Sequence, residues 1–122
     1  MAIEQARKEK LGGRKKKKAD MGSDPKYCHS LHGKDGKEKN TKTKTRGGTE
    51  KTSLIAAASV NLSVKGKTKR VVIKAVDENP ANRDFKRMGI LSKGAIIETE
   101  EGKAKISSRP SQDGVINAVL LE

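Results

Sequence analysis

Residues 94–108 read GAIIETEEGKAKISS, and their alternation decides the fold class. In an extended chain Ala95, Ile97 and Thr99 fall on one face and Ile96, Glu98 and Glu100 on the other, because successive strand side chains point to opposite sides. Beyond Glu101-Gly102 the pattern resumes, with Ala104 and Ile106 on one side and Lys103, Lys105 and Ser107 on the other. Two such runs joined through an x-Gly pair are a β-hairpin.

The neighbouring segments extend the sheet. RPSQDG at 109–114 carries Pro, Asp and Gly in turn positions, and VINAVLL follows as an almost continuous apolar strand, which completes a three-stranded meander. Upstream, LIAAASVNLSV (54–64) and KRVVIKAV (69–76) flank a polar KGKT, so a second hairpin turns at Lys65 to Thr68. ENPAN at 78–82 ends a strand and starts a turn, and RDFKRMGIL at 83–91 contains one short helical turn stopped by Gly89. Five or six short strands with Gly- and Pro-containing turns predict an all-β domain, either a small β-barrel or a curled antiparallel sheet. No repeat of 20–50 residues is present.

Composition confines folding to the carboxy-terminal part. Residues 1–50 hold 15 basic and 7 acidic residues but only ten apolar ones, whereas the remaining 72 hold 29 apolar residues at a net charge of +5. The core is expected to consist of Val, Ile, Leu and Ala with one aromatic, Phe85. A domain of about 75 residues buries only about 60% of its unfolded surface, so a bound partner is expected to complete its stability. The domain is placed at 40–122, behind a long basic extension at 1–39 that is disordered without a partner.

Within this amino-terminal region, HGKDGKEKNTKTKTRGGTEK at 32–51 has no apolar residue to offset the entropy of ordering. TKTKT at 41–45 nevertheless alternates, and is expected to join the edge of the following sheet with Lys42 and Lys44 displayed. AIEQARKEKL at 2–11 favours a short helix by propensity but is too short to be stable alone, and its cations Arg7, Lys8 and Lys10 join the basic surface.

The charge predicts the partner. With 28 Lys and Arg against 15 Asp and Glu, the chain carries +13 at neutral pH, which calls for a polyanion. No window reaches the roughly 20 apolar residues of a membrane span, and the first residues lack the apolar run of a signal peptide, so no membrane partner and a cytosolic location are expected. In GGRKKKK at 12–18, Gly12 and Gly13 let the backbone approach closely, Arg14 can fork two phosphate oxygens, and Lys15, Lys16, Lys17 and Lys18 supply point charges in alternating directions. A solubilising tail or a transport address is the alternative. Lys69, Arg70, Arg83, Lys86, Arg87, Lys93 and Arg109 lie in or beside turns, where long cations reach a nucleic-acid groove or simply cover a solvated face.

Other chemistries are poorly supplied. Cys28, His29 and His32 form CHSLH, but a tetrahedral zinc site needs a fourth ligand, and only Asp24 or Asp35 stands nearby; a histidine stacking on a base fits better. Glu98, Glu100 and Glu101 cluster without a nucleophile motif, a Walker loop or a His–acid pair, so neither an enzyme, a cofactor nor a small-molecule substrate is expected. A chain with so few aromatics is not built to stack bases across a sheet. Asn79 and Asn82 are sufficiently explained by turn formation.

Residues 77–122 resemble the closing segment of the archaeal and eukaryotic (e-type) small-subunit ribosomal protein eight family, and its archaeal members above all. The resemblance rests on ENPAN at 78–82, KGAIIETE at 93–100 and SRPSQDGVINAVLLE at 108–122. GGR at 12–14 and RGG at 46–48 match the family's early Gly-Gly-Arg and central Arg-Gly-Gly. Ahead of the first, where the family carries a Trp and an Arg/Ser pair, this chain has IEQARKEKL, and residues 19–45 match poorly. The resemblance implies a β-barrel body with a basic extension lying on small-subunit ribosomal RNA, beside neighbouring ribosomal proteins, in the cytoplasmic ribosome. It also implies that Arg46, Gly47 and Gly48 meet RNA, although a Gly pair before a strand is equally a turn. Composition alone would serve a free-standing basic nucleic-acid-binding protein or RNA chaperone as well.

Overall fold

A computed structural model of the chain describes residues 25–31 and 37–121. Nine strands run through them: β1 (Cys28–Ser30), β2 (Lys39–Lys44), β3 (Glu50–Ala57), β4 (Ser59–Val64), β5 (Lys67–Glu78), β6 (Ile90–Leu91), β7 (Ile96–Thr99), β8 (Gly102–Ile106) and β9 (Asn117–Leu120). Two short helices intervene, α1 (Arg83–Met88) and α2 (Pro110–Asp113). Strands β4-β5-β7-β8-β9 close a barrel, and β2-β3-β1-β6 form a second, four-stranded sheet. The barrel alternative of the sequence reading is the one observed.

The period-two pattern sets the barrel interior. Ala95, Ile97, Ala104 and Ile106 are fully buried and Thr99 nearly so, while Glu98, Lys103 and Lys105 face solvent. Pairing of Thr99 with Gly102 makes Glu100-Glu101 the two turn residues, one position earlier than the x-Gly reading. Neither turn residue has a positive φ; Gly102, at φ 132°, absorbs the twist as the first residue of the returning strand. The other barrel hairpin pairs Val64 with Lys67. Its turn, Lys65-Gly66, has φ of 46° and 81°, the doubly positive geometry that suits a right-twisted ribbon.

Closure comes from an unexpected pairing. β9 leaves β8 antiparallel, as the meander requires, and its other edge pairs in parallel with β4, matching Asn61 to Asn117, Leu62 to Ala118 and Ser63 to Val119. The enclosed space is narrow and is filled by Val60, Leu62, Ile73, Ile97, Ile106 and Ala118. Phe85 does not enter it. It sits half-buried on α1, edge-to-face with Tyr27 at 5.3 Å between ring centres, so the core cluster holds no aromatic ring and is aliphatic apart from Cys28.

LIAAASVNLSV, read as one strand, is two. The chain bends at Ala58, between β3 in one sheet and β4 in the other, where the small Ala57 is wholly buried at the junction. β1 is the second departure. Cys28–Ser30 falls within the stretch that composition assigns to the extension, yet it is a strand, parallel to β3 and antiparallel to β6. Three residues carry no periodicity, and what holds them is backbone pairing on both sides plus the fully buried Cys28. The polar strand expected at 41–45 is present as β2, at the sheet edge. Since β1 reaches β3 only at Ala56 and Ala57, the first half of β3 has one edge free of β1, and α2 lies against it. Lys51 Nζ donates to Gln112 Oε1 at 3.2 Å there.

Ile97→Ala removes a fully buried side chain and is expected to cost about 2–5 kcal/mol, whereas Ile96→Ala, on the outer face, costs well under half of that; urea denaturation of both variants checks the assignment of faces. Burial first, and the charge of Glu38 second, push the Cys28 thiol up to about 12. The native protein should therefore react with a disulfide reagent at pH 8 only at its unfolding rate. Between the ordinary thiol value of 9.0 and about 12 the unfolded chain binds fewer protons than the native one, so stability should fall as pH rises through that window, and a Cys28→Ser variant should lose this component of the fall.

Candidate nucleic-acid interface

The β2–β3 hairpin gathers the cations of the central segment. Lys42 pairs with Thr52 and Lys44 with Glu50 in an uninterrupted antiparallel register, so Asn40, Lys42 and Lys44 stand on one face of β2, all exposed. Thr45 and Thr49 close the loop through a backbone bond of 2.8 Å and a bond from Thr45 Oγ1 to the Thr49 carbonyl of 2.9 Å. Between them Arg46, Gly47 and Gly48 form the tip. Gly47 and Gly48 have φ of 93° and 88°, while open space surrounds both, so glycine is needed there for backbone conformation and not for lack of room. The turn reading of RGG is correct, and its consequence is that Arg46 projects from the outermost point of the hairpin.

A second basic surface lies on α1, beyond β6 at the opposite edge of the same sheet. Asn82 caps the helix, its side chain accepting from the Asp84 N–H at 3.0 Å, and Gly89 ends it at φ 66°. Arg83, Lys86 and Arg87 therefore share one helical face at i, i+3 and i+4. Lys93 follows in the exposed Ser92–Gly94 turn region. Arg109 begins α2, where its backbone N–H donates to Asp113 Oδ2 at 2.9 Å. Asn79 is a turn hub. Buried, it donates to the Ile90 carbonyl at 3.1 Å and accepts from the Ala81 N–H and Ser92 hydroxyl, which leaves its amide no role in reading bases.

Not every predicted cation is available. Among the described residues three ion pairs form, Lys69–Glu101 at 2.8 Å, Arg70–Glu38 at 2.9 Å and Lys103–Asp77 at 2.6 Å. Lys69 and Arg70, both expected to meet RNA, are thus already engaged. Arg70 Nε also donates to Ser59 Oγ at 2.9 Å, and the Ser59 hydroxyl donates to Glu38. Those bonds, from Ser59 first and Arg70 second, hold the Glu38 carboxyl below the usual carboxylate range. Lys103 likewise depresses Asp77, and is itself raised by it.

Five of the nine acids among the described residues lie apart from the hairpin cations, while Glu50 stands opposite Lys44 on the hairpin and Asp84 lies on α1. Asp77, Glu78, Glu98, Glu100 and Glu101 all lie on β5, β7 and the turn after it, where they meet Lys69 and Lys103. Among the described residues Lys42, Lys44 and Arg46 form no ion pair. The hairpin face can therefore accept phosphates without first breaking a salt bridge. Lys65 and Lys67, flanking the β4–β5 turn, are exposed cations that the sequence reading left out; the period-two register of KGKT is the signal that would have found them. Arg7, Lys8, Lys10, Gly12, Gly13, Arg14 and Lys15 to Lys18 lie outside the described residues, as do His32, Asp24 and Asp35. Cys28 belongs to the core and His29 is exposed.

Comparison with known proteins agrees with this architecture. The profile of the ribosomal protein S8e family matches residues 5–121. Small ribosomal subunit protein eS8 of Nanoarchaeum equitans is 46% identical over 111 residues, covering 89% of this chain and 84% of the relative. The eS8 proteins of Methanobrevibacter smithii, 40% identical with 99% of this chain and 100% of the relative covered, and of Sulfolobus acidocaldarius, 46% identical with 88% and 83% covered, are similar over the same span. With an aliphatic β-barrel, a cationic hairpin ending in Arg-Gly-Gly and this extent of identity, the chain belongs to the ribosomal protein S8e family.

Proposed function

We propose that this protein is a structural constituent of the small ribosomal subunit that binds and stabilises ribosomal RNA, with no catalytic role. The observation that carries the proposal is the charge partition. Among the described residues Lys42, Lys44 and Arg46 stand together on one hairpin in no ion pair, with Glu50 opposite Lys44 as the one acid of its strands, whereas five of the nine described acids are gathered on β5, β7 and the adjoining turn, where Asp77 and Glu101 are paired. The names of the relatives place those proteins in the small ribosomal subunit. The barrel acts as the anchor, and the hairpin and α1 contact phosphates from the two edges of the four-stranded sheet. The extension ahead of the body, with GGRKKKK at 12–18, becomes ordered as its charges meet RNA. Contacts with neighbouring ribosomal proteins complete the setting.

Phosphate contacts release counterions, so affinity should fall with salt by a log–log slope of about 0.7–0.9 for each contact. Replacing Lys15 to Lys18 by Ala should weaken binding to small-subunit RNA and flatten that slope, with the thermal unfolding of the barrel unchanged. The double variant Lys42→Ala, Lys44→Ala should flatten it by about 1.4–1.8, twice the single-contact value, while Lys103→Ala leaves it alone. An unchanged slope in the first two variants would contradict the assignment. Sedimentation of subunits through a high-salt gradient separates this function from that of a free-standing basic nucleic-acid-binding protein or RNA chaperone. A structural constituent stays with the small subunit, and release at moderate salt would favour the alternative.

A further inference from the structure

A groove runs between the β2–β3 hairpin and the outside of the barrel. One wall is Asn40 of β2 with Leu54 of β3; the other is Ser59 and Asn61 of β4 with Arg70 of β5; Gly114–Ile116 close the end. Its charge is internally cancelled, because Arg70 is paired with Glu38, which also lines it. A carboxylate in the wall disfavours a phosphate inside. What the groove does offer is amide chemistry. Asn61 donates through Nδ2 to Asn117 Oδ1 at 3.1 Å across the strands that close the barrel, which leaves its carbonyl oxygen and second N–H unused. The Asn40 amide has no hydrogen-bond partner among the described residues. Val115, 46% exposed, lines the same groove as the buried Leu54 and Ile116, and the three supply its apolar surface.

Amide donors and acceptors in one groove with apolar side chains match the edge and the ring of a nucleobase. The groove also continues into the phosphate-binding face, since Asn40, Lys42 and Lys44 occupy alternate positions on the same side of β2. We infer that this groove seats one unpaired nucleobase of the bound RNA, read by the Asn40 and Asn61 amides, while the adjoining phosphates run along Lys42 and Lys44 toward Arg46. The inference rests on the RNA-binding function proposed above, and gives it a position of sequence readout that the cations alone cannot supply.

The test uses the full chain, naked small-subunit ribosomal RNA of Methanobrevibacter smithii as the matched probe and bulk transfer RNA as the unmatched one. Asn40→Ala changes an exposed side chain that no bond ties down, and Asn61→Ala removes the central amide. Each should weaken binding to the matched RNA by about 5- to 100-fold, the range of a base-edge contact, at an unchanged salt slope and with unchanged affinity for transfer RNA. Thermal unfolding of Asn40→Ala should match the parent, so that a folding defect in Asn61→Ala cannot imitate the result. Equal affinity of parent and variants for the matched RNA overturns the inference and leaves the phosphate-binding function standing. A flattened slope would make the groove a phosphate site and overturns it too. Loss seen only in retention by complete subunits would assign the groove to a protein neighbour, again against the inference. A parent chain that does not prefer small-subunit RNA would remove both the inference and the function on which it rests.

Discussion

The parallel pairing of β4 with β9 is the constraint on which the rest of the molecule depends. Without it both strands are open edges of a curled sheet, and Leu62 and Ala118 lose the enclosure that buries them. The pairing joins the first barrel strand to the last, and the hydrogen bond from Asn61 Nδ2 to Asn117 Oδ1 lies across the seam. It also fixes where the chain between β8 and β9 must run. α2 is brought against the free edge of β3, and Gly114 comes so close that a Cβ there would stand 3.0 Å from the Thr52 carbonyl oxygen. At φ 75°, Gly114 is held to glycine by conformation and by space at once. The cationic hairpin is thereby buttressed from the barrel side, while its opposite edge, β2, stays open.

Stability and binding are divided between different residues. The aliphatic interior answers to burial alone and contains no charge, so the surface is free to carry a strong net positive potential. Pairing then decides which cations are held by the protein. Lys69, Arg70 and Lys103 are engaged by carboxylates, and as exposed pairs they contribute little to stability. Among the described residues the cations of the hairpin and of α1 are in no ion pair, and the same holds for Lys65 and Lys67 at the β4–β5 turn.

The inner face of the barrel was legible in the sequence because the alternation from Ala95 to Ile106 is local, and a hairpin needs no information from elsewhere in the chain. The Gly89 stop of α1, the RGG turn and the edge position of TKTKT were legible for the same reason. Long-range partners were not. Nothing near Arg70 announces Glu38, which lies 32 positions away and withdraws that arginine from the set of free cations. Cys28–Ser30 has too few residues to show a period, and its place between β3 and β6 depends on strands formed far downstream. Phe85 was assigned to the core on composition, but it falls on α1, outside the barrel strands, and its ring pairs with Tyr27. Asn40 and Asn61 come to line one groove only once the barrel has closed against the hairpin, so no motif could have signalled them.

Under the proposed function the hairpin side of the molecule faces ribosomal RNA and the β5–β7 side faces away from it. Because Cys28 is buried and its thiol is held protonated, an iron chelate attached to an introduced surface cysteine will report from that position alone. With the chelate at Lys44→Cys, hydroxyl radicals should cut small-subunit RNA at a few clustered sites in reconstituted subunits. With the chelate at Glu100→Cys, in the acidic turn, they should leave the RNA intact. The reverse pattern, with cutting from position 100 and silence from position 44, would contradict the account.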